Sequence, residues 1–121
     1  MGVIKNFEDL TIWKEGMQMV IQIYDAFKDC KDFAFKDQIQ RAAVSIPSNI
    51  AEGFERKSNK EFIQFLFIAK GSCGELRTHL YIAAKLKYVG KTESATLIEN
   101  AKTLSAQIAK LISYRNNYKS K

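Results

Sequence analysis

Arg41, Ser45, Asn49, Glu52 and Arg56 follow one another at steps of four, four, three and four, and Gln38 stands three residues before Arg41. Such steps place all six on one side of a helix. Two chemistries fit the set. In the first it is a binding stripe: Arg41 and Arg56 donate to phosphate oxygens, Asn49 contacts a base or ribose, and Glu52 orients an arginine. In the second it is a structural network. There Arg41 pairs with Glu52 or with Glu75 further along the chain, while Ser45 and Asn49 satisfy backbone groups opened by Pro47. A carboxylate inside the stripe repels an anion, which favours the structural reading. Matched charges of this kind set helix register and subunit contacts.

Catalysis finds no partner set. Ser45 and Ser48 have no histidine at a useful spacing, and His79 is the sole histidine of the chain. Asp32 and Asp37 lack the companions that two-metal chemistry requires, and no Glu-x-x-His pair like that of di-iron bundles occurs. Cys30 and Cys73 form no C-x-x-C pair, so no zinc site is expected. They read as two reduced thiols of a cytoplasmic protein. No catalytic residue, metal, cofactor or small-molecule substrate is therefore expected. Glu8, Asp9, Lys14 and Glu15 interrupt the first apolar stretch, which speaks against a signal peptide. No apolar run approaches the ~20 residues that span a bilayer, so no membrane partner is expected.

Charge is unevenly placed. The net charge is +6, yet residues 1–84 hold eleven basic and eleven acidic residues. The excess lies in residues 85–121, and after Glu99 only Lys102, Lys110, Arg115, Lys119 and Lys121 carry charge. Cations near a helix C-terminus offset the macrodipole, but only within its last turn. Lys102, Lys110, Arg115 and Lys119 therefore permit an anionic partner, RNA or DNA. Tyr81, Tyr88, Tyr114 and Tyr118 accompany this region; bases stack on such rings, though tyrosines at helical spacing more often pack.

The elements that must position these residues are helices. One proline and six glycines in 121 residues leave too few turns for a sandwich or barrel. Apolar periodicity predicts four helices in one domain, over about 9–28, 35–54, 59–88 and 92–118. In the first, Leu10, Trp13, Met17, Val20, Ile21, Tyr24 and Phe27 form the expected core strip; Ile12, Met19, Ile23 and Ala26 form a second, facing a wide core or another chain. Pro47 predicts a kink in the second helix. Ser58 and Glu61 make a capping box for the third. Gly71 and Gly74 in its interior cost about 1 kcal/mol each relative to Ala, which predicts a close neighbouring helix or a bend. Gly90 is expected to supply a left-handed stop. Short links make an antiparallel up-down-up-down four-helix bundle the simplest all-α solution.

The run from Gln38 through Arg41-Ala42-Ala43, Ser45-Ile46-Pro47-Ser48-Asn49-Ile50-Ala51-Glu52-Gly53 to Arg56 closely resembles the signature of the bacterial 23S rRNA intervening-sequence protein family, also called S23-type four-helix-bundle proteins. Phe7, Leu10 and Trp13 resemble its opening. Glu61-Phe62, Phe65-Leu66, Ala69-Lys70-Gly71-Ser72 and Glu75-Leu76 resemble its third helix. Cys73 and Gly16 depart from the common pattern. The resemblance implies an antiparallel bundle that assembles into a homopentameric ring. A ring would repeat the basic last helix and strengthen weak phosphate contacts by avidity. The expected function is thus a non-catalytic oligomer associated with nucleic acid, RNA first. The alternative is an oligomeric scaffold for another protein, with the basic helix merely solvated.

Overall fold

The structure, a computed structural model, describes residues 3–119, with side chains through residue 117. A 3-10 turn at Phe7–Asp9 leads into α1 (Thr11–Ala26), followed by α2 (Phe33–Phe54), α3 (Asn59–Lys85) and α4 (Lys91–Lys119). No strand occurs among the described residues, and none of the helices is long and apolar enough to cross a membrane.

Each helix packs on its neighbours in sequence, α4 also packs on α1, and the diagonal pairs α1–α3 and α2–α4 make no close backbone approach. This is the contact pattern of a four-helix bundle. Several contacts join the start of one helix to the end of the next. Asn59 in the first turn of α3 bonds Arg115 near the end of α4, and Tyr88, just past α3, bonds Asp32, just before α2.

The core is a single cluster in which Ile23, Phe27, Ile39, Ile46, Ile50, Leu66, Leu76, Leu80 and Ile108 lose all solvent contact. Burying a side chain of this size contributes about 1.5–3 kcal/mol. In α2, α3 and α4 the buried stripes follow the sequence periodicity. In α1 the second strip is the more deeply buried, while the expected core strip is inside only at Phe27 and half-buried at Leu10, Trp13 and Val20. Ile12, Met19 and Ile23 are buried, whereas Met17, Ile21 and Tyr24 are exposed. Both strips are apolar, so periodicity alone carries no label for the inner one; docking against α2 and α4 decides it.

The helix ends are set by local chemistry. Asp32 accepts from the Phe35 N–H at 3.2 Å, so α2 begins at Phe33 rather than Phe35. Ser58 accepts from the Glu61 N–H at 3.1 Å, and its hydroxyl donates to the Glu61 carboxylate at 3.2 Å. α3 ends at Lys85, before the expected Tyr88. There the Tyr88 N–H donates to Ala83 and the Lys87 N–H to Ala84, the two bonds of a Schellman stop. The left-handed residue is Lys87, with φ 62°, and not Gly90. α2 stays helical through Pro47.

Three glycine positions separate two uses of the residue. A Cβ on Gly53 would lie 2.5 Å from Phe65 Cβ, so α2 and α3 approach there more closely than any side chain permits. Gly71 and Gly74 have nothing within 4 Å of where a Cβ would stand. Among the described residues, no close neighbour of the kind expected for that pair is present.

Candidate functional site

The signature residues do lie along α2, but their partners differ from those expected. The Arg41 Nε donates to Asp37 at 2.8 Å, one helical turn back, rather than to Glu52 or Glu75. The bond and the charge of Asp37 push the guanidinium pKa above its ordinary value. Glu52 instead holds Arg56 at 2.8 Å. Arg56 also lies 3.8 Å from Glu61 and stacks over the Phe65 ring at 4.9 Å, so it fastens the end of α2 to the start of α3. Glu75 and Gln38 are exposed and belong to neither cluster.

Ser45 and Asn49 also bond differently. Pro47 removes the donor that would reach the Ala43 carbonyl. Ser45 donates to Ala42 at 2.8 Å and Asn49 to Ser45 at 2.7 Å, so both reinforce carbonyls beside the freed one. Pro47 is buried against Gly16, whose Cβ would meet the ring at 3.4 Å. The signature thus combines a tight α1–α2 contact with an arginine clasp between α2 and α3. Arg41 stands apart from that clasp, beside a concavity of about 460 Å³ that it lines with Tyr24, Asp37 and Val44.

The basic residues of α4 do not all share a face. At 100° per residue, Lys102 and Lys110 lie about 80° apart, and Arg115 about 140° from Lys102. Lys102 and Lys110 are exposed. Lys110 borders a concavity of about 540 Å³ between the starts of α1 and the last turns of α4, together with Ile4, Leu10 and Tyr114. Arg115 is committed elsewhere: its Nε donates to Asn59 Oδ1 at 2.7 Å, and its guanidinium covers Phe62 at 5.0 Å. It therefore serves the α3–α4 contact rather than a free phosphate site. The side chains of Lys119 and Tyr118 lie outside the described residues.

The reactive groups are quiet. Burial pushes the Cys73 thiol up to about 11, against the opposing pull of Arg77 and Lys70. The His79 ring meets Phe35 edge-on at 5.7 Å, with Nδ1 buried and unpartnered. Sequence reasoning missed the Asp32–Tyr88 bond of 2.7 Å. That bond, then the Phe35 N–H, lowers the Asp32 carboxyl, while Asp32 and burial raise the Tyr88 phenol. Asp32 three residues before Phe35 carries the N-cap signal that would have found half of it.

Large apolar side chains are exposed on all four helices, Phe33 and Val44 on α2 and Tyr114 on α4 among them, and on α1 and α3 they group together. On α1 these are Ile21, 64% exposed, with Met17 and Tyr24; on α3 they are Phe67, 55% exposed, and Ile68, beside Gly71 and Gly74. α1 and α3 make no close backbone approach to each other, and Tyr24 of the α1 group lines a concavity with Val44 of α2.

A solved structure of similar shape is described as a protein of unknown function from the S23 ribosomal protein family of Bacteroides thetaiotaomicron VPI-5482. It is 21% identical, matches 84% of this chain and 98% of its own, and superposes with a TM-score of 0.80. At that identity the likeness shows the fold. No curated protein matches. The model of the 23S rRNA-intervening sequence protein family matches residues 8–110, from the 3-10 turn into the second half of α4. The clasp of Arg56, the Gly16–Pro47 contact and the α3 glycines all lie inside that match, and the chain belongs to the 23S rRNA-intervening sequence protein family.

Proposed function

We propose that this chain is a self-assembling bundle without chemistry of its own, and that its assembled form associates with RNA. The observation that supports assembly is the exposure of large apolar side chains on α1 and α3, Ile21 with Met17 and Tyr24 on one and Phe67 with Ile68 on the other. A face on α1 and a different one on α3 favour a head-to-tail contact, which closes into a ring when the rotation allows. Gly71 and Gly74 support the same reading. They cost helix stability, and within one chain nothing occupies the room they leave. That open space leaves room for a side chain of a second copy, for which the exposed Ile21 of α1 is a candidate. The ring expected from the resemblance has five copies.

RNA association draws on the uncompensated charge of α4, where Lys102 and Lys110 stay exposed. Ring symmetry repeats them, and repeated weak phosphate contacts add by avidity. The scaffold reading has one observation in its favour, the commitment of Arg115 to Asn59.

Light scattering should give the mass of five chains. Ile21→Asp and Phe67→Asp should each lower it while helical content is kept. Titration with labelled RNA and duplex DNA at two salt concentrations then separates the readings. Affinity that falls with salt and is abolished by Lys102→Glu with Lys110→Glu supports RNA association; no affinity at low salt leaves the scaffold.

A further inference from the structure

The turn between α3 and α4 builds a second candidate site, far from Lys110. Tyr81, Lys85 and Tyr88 recur at steps of four and three, so they share one side of the end of α3. The left-handed Lys87 then reverses the chain, bringing Val89 and Lys91 back against that side. Together they line a concavity of about 610 Å³. Its walls are ring and aliphatic carbon, and its rim is Lys85, Lys87 and Lys91.

Three features of this concavity point to a ligand. The three lysines make no ion pair among the described residues, and no carboxylate lines the cavity. The Tyr88 ring is held in place, its hydroxyl on Asp32 at 2.7 Å and its edge on Phe35 at 5.4 Å. Tyr81 is 52% exposed. A fixed aromatic wall, a free aromatic face and three unpaired cations suit a flat ring carrying a phosphate.

We propose that the α3–α4 turn binds a nucleotide unit, its base stacked on Tyr81 and its phosphate among Lys85, Lys87 and Lys91. This goes beyond the reading above, which places RNA on Lys102 and Lys110. Lys91 and Lys110 are about 28 Å apart along α4, so one site is not an extension of the other. The nucleotide comes either free or as a unit of single-stranded RNA.

The test uses the intact, assembled protein. Adenosine 5′-monophosphate is titrated while the Gly90 and Lys91 amides are followed by NMR, with adenosine and inorganic phosphate in parallel. Saturable shifts with the nucleotide, tighter than with either half alone, are the expected result. Shifts as large with phosphate alone, or none with the nucleotide, overturn the proposal. Labelled oligoadenylate supplies the second arm; binding tighter than the mononucleotide by tenfold or more identifies RNA as the source, and equal affinity a free nucleotide. Tyr81→Ala should weaken the nucleotide about tenfold, while Tyr81→Phe keeps the affinity. Replacing Lys85, Lys87 and Lys91 by Gln should abolish it and flatten the salt dependence. If oligoadenylate binding survives these changes and is lost only with Lys102 and Lys110, the turn site is wrong and the α4 reading stands. If the mononucleotide binds at the turn and RNA binds nowhere, the α4 reading is wrong and the turn site stands. An assembled mass that falls in Tyr81→Ala makes that ring a subunit contact and overturns the proposal.

Discussion

Asn59 and Arg115 hold each other twice. The Arg115 Nε donates to Asn59 Oδ1 at 2.7 Å, and Asn59 Nδ2 donates to the Arg115 carbonyl at 3.0 Å. Fifty-six residues separate them, so the pair joins the first turn of α3 to the end of α4. Such a pair fixes helix register, and it removes Arg115 from the list of free cations.

The first prediction follows from that pair. Arg115→Ala and Asn59→Ala should each cost about 1–2 kcal/mol, because a charge-assisted bond between half-buried groups is broken. The double variant should cost less than the sum. Lys102→Ala and Lys110→Ala, which touch no such partner, should stay within about 0.5 kcal/mol of the parent. Urea denaturation of the parent and the five variants measures this; equal costs at Lys110 and Arg115 would contradict the structural role.

Asp32 and Tyr88 predict a pH dependence. The carboxyl is lowered in the folded chain, first by the Tyr88 hydroxyl and then by the Phe35 N–H. A lowered acid stabilises the fold above its unfolded pKa, and that contribution is lost as pH falls through the folded value. The phenol is raised, first by its bond to Asp32. Its contribution is complete below the ordinary tyrosine range and is lost as pH rises through the higher folded value. Asp32→Asn keeps a cap for α2 and removes the charge. The gap in melting temperature between parent and variant should therefore close as pH drops beneath the usual carboxylate range, and persist at neutral pH.

The glycines predict opposite outcomes. Gly53→Ala should destabilise by about 1–3 kcal/mol, since its methyl would overlap Phe65. Gly71→Leu and Gly74→Leu have open space in the single chain. They should leave helical content unchanged and lower the assembled mass, as circular dichroism and light scattering would show.

Lys87 adopts a left-handed φ of 62°. That conformation costs a side-chain-bearing residue about 1–2 kcal/mol, part of which glycine gives back as chain entropy. Lys87→Gly should raise stability by about 0.5–1 kcal/mol. A lower melting temperature would show that the lysine side chain holds the turn.

The two thiols should differ. Cys73 is fully buried, with its thiol pushed up to about 11, so it stays protonated near neutrality and resists alkylation. Cys30 is half-buried. A thiol reagent should label one group in the native protein and the second only on unfolding.

Four helices, the capping box at Ser58 and the buried stripes of α2, α3 and α4 were legible in residue order, because each rests on neighbours three or four apart. The all-α architecture follows from the same spacing. The partners of the signature were not legible. Arg41 has acids within reach at several positions, and which one it meets depends on rotamers and on where α3 lies.

The same limit applies to α1. Both of its strips are apolar, so the sequence determined that the helix is amphipathic on two sides, and packing against α2 and α4 chose Ile12, Met19 and Ile23 for the interior. Residue order also placed Arg115 among four cations of equal standing. Only the meeting of α3 and α4 separated it from Lys102 and Lys110, because a hydrogen bond across fifty-six residues leaves no trace in local spacing.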